Sequence, residues 1–243
     1  MARRSEKRKI LPALTTTPGS NWKRKAKEID ELGLREISLF PTFLDINSRK
    51  ILYQLIERTK LKAIPFVHLR HDFTDDEIDY LATRWGAKCF NMHADLHAYN
   101  FIKNSRYQAK IFVETHYAPA RRKYFSEKYF KKYKIPGLCA DFSHLAAEEL
   151  EYPVYYPKKL ELIKNYSIKC CHVSAFSRRK RLDKADRSYR FDSHEMRNVS
   201  DLNYLRKFPK KWFSNYIAIE LENSFRDQLK AKKYIEKILS QIS

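Results

Sequence analysis

The chain has 243 residues, 43% hydrophobic and 32% charged, which predicts a globular fold with a substantial core and excludes a low-complexity chain. No apolar run approaches the roughly 20 residues of a membrane helix, and the basic start MARRSEKRKILPALTTT is too polar for a signal peptide, so no membrane and a cytoplasmic location are expected. The 49 Lys and Arg against 29 Asp and Glu leave a net charge of +20, which suits a polyanionic partner, because neutralised phosphates release counterions.

Strand and helix signals alternate along the chain. A strand-like KILPALTT (9–16) leads to a helix capped near Ser20. REISLFPTFL (35–44) precedes the helical SRKILYQLIERTK (48–60). KAIPFVHL (62–69) precedes TDDEIDYLATRWG (74–86), where Thr74 with Glu77 predicts a capping box and Gly86 a C-cap. KCFNMH (88–93) is followed by a short helix. KIFVETH (110–116) is followed by a basic helical stretch that stops near Pro136. GLCADFS (137–143) precedes a helical region broken by Pro153 and Pro157. IKCCHVS (168–174) leads into a long loop and a helix around 199–207. YIAIELE (216–222) leads into a closing helix over 226–242.

These are eight β–α units. The strands are short and apolar on both faces, as in a parallel sheet covered by helices. The expectation is an α/β fold, a single (β/α)8 TIM barrel over 1–243, with residues 1–8 a basic tail and long loops after the fifth and seventh strands. Only four glycines are present and no glycine-rich fingerprint follows the first strand, which argues against dinucleotide-binding and P-loop folds.

Cys89, Cys139, Cys170 and Cys171 all lie in apolar strand-like runs without C-x-x-C spacing. They predict buried free thiols, with adjacent Cys170 and Cys171 on opposite sides of one strand, and not a thiolate zinc site.

The strands share a second property: they end in carboxylates or histidines. Side chains at i and i+2 share a strand face, and the last inward residue of a barrel strand lies at the mouth. Glu114, Asp141, His172 and Glu220 end strands five to eight, and this quartet suits Mn, Mg or Zn. His68 and His93 end strands three and four. His144 completes a D-x-x-H with Asp141, and Asp192 and His194 form a D-x-H beyond strand seven. A single histidine is usually packed or solvated; five of the eight in the chain at such positions form a pattern.

That pattern resembles the xylose-isomerase-like barrel superfamily and, within it, endonuclease IV, across essentially the whole chain in order and spacing. Such enzymes use nine ligands around three zinc ions to incise DNA at abasic sites. The resemblance assigns the nine ligands to His68, His93, Glu114, Asp141, His144, His172, Asp192, His194 and Glu220, with Glu222 an alternative to Glu220. It implies up to three divalent ions, zinc foremost and manganese or magnesium as alternatives, and catalytic roles for Glu114 and Glu220. The family's glycine-rich turns are missing, Thr115 replaces its asparagine after the strand-five glutamate, and its strand-one histidine motif reads ALTTT. Sugar isomerases and epimerases of the same superfamily carry the Glu114–Asp141–His172–Glu220 type of quartet with one metal.

Positive charge concentrates in 118–134, with Arg121, Arg122 and Lys123, and in 176–190, with Arg178, Arg179, Lys180 and Arg181. Both stretches follow strands, so both begin at the ligand-bearing mouth. Tyr124, Phe125, Tyr129, Tyr133 and Tyr189 are interleaved, the mixture that a phosphate-tracking, base-stacking groove uses. The resulting expectation is metal-dependent cleavage of phosphodiester bonds in DNA. The alternative is a metal-dependent sugar or sugar-phosphate isomerase or epimerase.

Overall fold

A computed structural model describes residues 8–115, 123–183 and 187–242. Eight parallel strands close into a barrel: β1 (Lys9–Thr15), β2 (Glu36–Phe40), β3 (Ala63–His68), β4 (Cys89–Met92), β5 (Ile111–Glu114), β6 (Leu138–Asp141), β7 (Ile168–Val173) and β10 (Tyr216–Ile219). β10 pairs with both β1 and β7, so the sheet has no free edge. Helices α1 (Trp22–Glu31), α2 (Ile46–Glu57), α3 (Asp75–Arg84), α4 (Leu96–Asn104), α5 (Glu127–Lys132), α6 (Phe142–Glu151), α7 (Tyr156–Lys164) and α8 (Phe225–Gln241) alternate with them. This is the TIM-barrel fold that the alternating pattern predicts. No helix among the described residues is long and apolar enough to cross a membrane.

The barrel interior explains where the polar residues go. Leu11, Ala13, Phe40, Phe66, Cys89, Phe112, Cys139, Cys170 and Ala218 form one buried cluster inside the strands. Two residues further along the same faces come His68, Asn91, Glu114, Asp141, His172 and Glu220. An apolar plug thus fills the lower barrel and ends where the ligand-type residues begin. Cys171 joins the other cluster, between strands and helices, while Cys170 faces inward. All four cysteines are buried and unbridged, and burial raises their thiol pKa values, so they remain protonated.

Several local features differ from their sequence reading. The segment after β7 is an antiparallel hairpin, β8 (Ala175–Leu182) and β9 (Tyr189–Ser193), where a long loop is expected. The helix near 199–207 is a 3-10 helix, Val199–Lys207, started by a reciprocal Asn198–Asp201 capping box. In the basic stretch only Glu127–Lys132 is α-helical among the described residues. α1 is capped by Asn21, whose side chain accepts from the Arg24 N–H at 3.1 Å, because the Ser20 hydroxyl is used on Thr15 O.

Thr74 caps α3 as expected, and Gly86 takes the left-handed conformation (φ 64°) just past its end. The return half of the capping box does not form, because the Glu77 carboxylate is drawn to the fully buried Arg49.

α8 is sewn to the barrel by Gln228, which is fully buried. Its Oε1 accepts from Ala13 N at 2.6 Å, and its Nε2 donates to Ala13 O, Leu221 O and Asn223 O at 2.9–3.0 Å. Gln228→Ala strands backbone groups of β1 away from water and is expected to cost about 2–3 kcal/mol. Denaturant unfolding measures this; a change below about 0.5 kcal/mol, the scale of a neutral surface substitution, would show that water replaces the amide.

Candidate metal centre

The register of the barrel brings the strand ends level. His68 pairs with Asn91, Asp141 with His172 and His172 with Ala218. All nine predicted ligands then join one continuous network. Glu114 is its hub: Oε2 lies 2.9 Å from His68 Nε2 and 3.3 Å from His172 Nε2, and Oε1 lies 3.5 Å from His93 Nε2. His172 Nδ1 lies 2.8 Å from Glu220 Oε2 and 3.3 Å from Asp141 Oδ2. His194 Nε2 reaches Glu220 Oε1 at 3.3 Å. His144 bridges Asp141 Oδ2 and Asp192 Oδ2, each at 3.1 Å.

Local structure sets each orientation. Asp141 ends β6 and caps α6, its Oδ1 accepting from His144 N at 2.9 Å and from Ser143 Oγ at 2.6 Å. Oδ2 is thereby turned to the mouth. The Thr115 hydroxyl accepts from Asp141 N at 3.0 Å and fixes the end of β6. Asp192 lies on β9, which packs on α6 and so meets His144. The His194 loop is tied to the end of β10 twice: Glu222 N–H donates to His194 O at 2.6 Å, and Asn223 exchanges hydrogen bonds with the backbone of Met196 at 2.8–2.9 Å.

The array balances charge internally. Burial opposes ionisation of Glu114 and Glu220, yet His172 with His93 and His194 holds both well below the usual carboxylate range. Burial likewise lowers His144, but Asp141 and Asp192 outweigh it and push it up to about 9. His172 and His194 are raised too, burial again losing to the surrounding carboxylates. Asp192 is held low against its burial by His144 and Arg190.

The donor set fits divalent ions. His68, Glu114 and His172 form one group with donor atoms within 4.8 Å of one another; Glu114, Asp141 and His144 form a second, and Asp141, His172 and Glu220 a third. Both ring nitrogens of buried His172 face carboxylates, yet neither makes a hydrogen bond. A buried imidazole set between carboxylates in this way fits a metal ligand.

Glu222 belongs elsewhere. Thr17 donates to its Oε1 through N–H at 3.2 Å and hydroxyl at 2.6 Å, and Lys25 Nζ donates to its Oε2 at 3.0 Å. Its pKa falls to about 2, burial being outweighed by Lys25 and the Thr17 hydroxyl. Glu220→Gln is therefore expected to reduce bound metal, and Glu222→Gln to leave it unchanged. Elemental analysis of the two variants decides, and equal losses would contradict the assignment.

Asn91 is a site residue that the sequence reading misses. It is fully buried, and its Nδ2 donates to Glu114 Oε2 at 2.9 Å. The signal was its place two residues before His93, on the same strand face.

The basic stretches are less available than their composition suggests. Arg181 forms a two-pronged pair with Asp201 at 2.9 and 3.0 Å, and Lys180 pairs with Glu151 at 3.0 Å. Arg178, Arg179 and Lys123 are exposed; Arg121 and Arg122 lie outside the described residues. The expected aromatic stacking surface does not form over 124–133. Tyr129 and Tyr133 stack on Tyr99 at 5.6 and 5.3 Å, and Phe125 is buried against Phe130. Apolar burial consumes these faces. Tyr189 remains 68% exposed.

A cavity of about 290 Å³ opens above the array, walled by Arg70, Arg190, Thr17 and Phe43.

No protein-family model matches the chain, and no curated protein does. Among solved structures, an uncharacterised protein from Parabacteroides distasonis is 17% identical, with 95% of this chain and 98% of that chain covered and a TM-score of 0.49. Phospho-2-dehydro-3-deoxyheptonate aldolase from Thermotoga maritima is 9% identical, covering 98% and 70%, with a TM-score of 0.48. The probable 3-DHS dehydratase AsbF from Bacillus anthracis, involved in petrobactin synthesis, is 11% identical, covering 96% and 98%, with a TM-score of 0.47.

Proposed function

We propose that this barrel is a divalent-metal-dependent enzyme that hydrolyses a phosphodiester bond of a sugar-phosphate substrate, as the resemblance to endonuclease IV implies. One observation carries the reading: nine ligand-type side chains, five on strands, one on a helix and three just past strand ends, converge in a single network. One divalent ion takes roughly four to six protein and water ligands, so nine such side chains are more than a mononuclear site uses.

His68, His93, Glu114, Asp141, His144, His172, Asp192, His194 and Glu220 would hold the ions, zinc foremost. When bound, the ions would supply Lewis acidity at the phosphate and a lowered pKa for the attacking water. In the reaction a water oxygen bonds to phosphorus, and the P–O bond to the departing sugar oxygen breaks. The water's proton would pass to a carboxylate, which would return it to the leaving oxygen. Glu114 and Glu220 would be the carboxylates in reach, being held ionised by their histidine neighbours. Arg178, Arg179 and Lys123 would be the exposed cations along which a DNA strand approaches.

A second reading has its own support. The cavity of about 290 Å³ suits one sugar-phosphate unit. Asp141, His172 and Glu220 would suffice for a single ion. A sugar or sugar-phosphate isomerase or epimerase would use that ion to chelate adjacent substrate oxygens, with Glu114 and Glu220 moving a proton at carbon.

Elemental analysis with parallel assays separates the two. Two or three ions per chain with hydrolysis of abasic-site DNA or bis(p-nitrophenyl) phosphate is the expected result. One ion with sugar-phosphate isomerisation selects the second reading. Absence of any bound divalent ion after reconstitution would sink both.

A further inference from the structure

Two arginines stand over the ligand array: Arg70 lies outside the basic runs, and Arg190 ends the second of them. Arg70 follows His68 by two residues as the chain leaves β3, and Arg190 precedes Asp192 by two residues on β9. On β9 the period of two puts Arg190 on the face of Asp192, and Arg70 reaches the same mouth from the segment after β3. Both line the same cavity, with Glu114, Glu220, His144 and His194 at its floor. Both side chains are 27% exposed, partly desolvated and still reachable from solvent.

Each is braced by a carboxylate. Arg70 Nε lies 3.2 Å from Asp72 Oδ1, and Arg190 Nη2 donates to Asp192 Oδ2 at 2.9 Å. Asp95, the other carboxylate of the wall, caps α4 by accepting from Ala98 N at 2.8 Å.

We infer that Arg70 and Arg190 form a clamp for a single phosphate group, gripping one sugar-phosphate unit at a time within the cavity. The inference rests on the reading of this mouth as a phosphate-processing site and deepens it. A guanidinium presents a planar fork of donors that matches a phosphate, and partial burial strengthens each charged hydrogen bond. The volume suits one such unit. Recognition thus sits in the cavity wall, which Arg70 and Arg190 line and Arg181 and Lys180 do not. The unit is either a free sugar phosphate or one displaced from a strand.

The test uses the metal-loaded protein and measures affinity by calorimetry for inorganic phosphate, ribose 5-phosphate and an abasic-site oligonucleotide. Arg70→Gln and Arg190→Gln are each expected to weaken all three roughly ten- to a hundred-fold, the scale of a lost charged hydrogen-bond pair. Arg190→Lys, which keeps the charge beside Asp192 but not the fork, should keep its metal and lose a smaller factor. Lys237→Gln, an exposed charge on α8, should change nothing.

An oligonucleotide bound much more tightly than ribose 5-phosphate, still through both arginines, assigns the strand as source; the reverse assigns the free sugar phosphate. Unchanged affinity in both Gln variants, or an equal loss in Lys237→Gln, overturns the clamp. Arginine-dependent phosphate binding without hydrolysis would leave the clamp standing and remove the phosphodiesterase reading.

Discussion

Glu114→Gln is expected to lose at least one metal ion per chain and to lower turnover by at least ~10²-fold, the scale of removing one preorganised electrostatic partner. Glu114 reaches three histidines, His68, His93 and His172, and takes a hydrogen bond from Asn91 as well. A glutamine keeps the shape but offers one acceptor oxygen in place of two. Its amide N–H groups would face ring N–H groups and carry no charge to balance them. Elemental analysis, single-turnover kinetics and thermal unfolding with and without chelator test this together. Chelation should lower the melting temperature of the wild type, because ions that bind only the folded chain stabilise it by mass action. The variant should respond less. A variant with full metal content and activity would remove Glu114 from the site.

The largest expected effect on stability lies outside the mouth. Arg49 is fully buried, and its guanidinium meets Glu77 at 2.7 and 2.9 Å, Asp72 at 2.9 Å and Leu44 O at 2.9 Å. It also stacks 4.2 Å from the centre of the Phe73 ring. The network fastens α2 to the start of α3 and to the segment that carries Arg70. Removing one partner leaves the Glu77 carboxylate little exposed and uncompensated, with the Tyr53 hydroxyl still on it. Arg49→Met is therefore expected to cost ~3–5 kcal/mol, which for a chain of this size lowers the melting temperature by roughly 10 °C. Arg49→Met combined with Glu77→Gln should recover part of the loss, since the stranded charge goes with it. If the double variant is no more stable than the single one, lost packing and not stranded charge explains the cost.

The sequence alone determines the barrel and which strand-end side chains gather at its mouth. Both follow from period-two patterning: apolar residues on alternate positions fill the interior, and the polar residue that ends each run must open at the mouth. Phe66 then His68, Phe112 then Glu114, Cys139 then Asp141 and Cys170 then His172 all obey it. The same rule, read one step further, reaches Asn91 on β4 and Arg190 on β9, whose residue types carry little ligand signal by themselves.

Other features depend on partners distant in the chain. The capping box at Thr74 is legible as a local motif, but whether Glu77 closes it depends on Arg49, 28 residues away, which outcompetes a backbone N–H for the carboxylate. Glu220 and Glu222 share a strand pattern. Only Lys25 and Thr17, brought across the barrel seam by the pairing of β1 with β10, separate a structural carboxylate from a candidate ligand. Net charge is legible from composition, but its placement is not: Asp201 and Glu151 hold Arg181 and Lys180 on the hairpin, while Asp72 and Asp192 hold Arg70 and Arg190 at the cavity. Local patterning sets which face a side chain takes, because that depends on backbone geometry alone. Which charges remain for a ligand is decided by tertiary pairing, because an ion pair forms with whatever opposite charge the fold brings within reach.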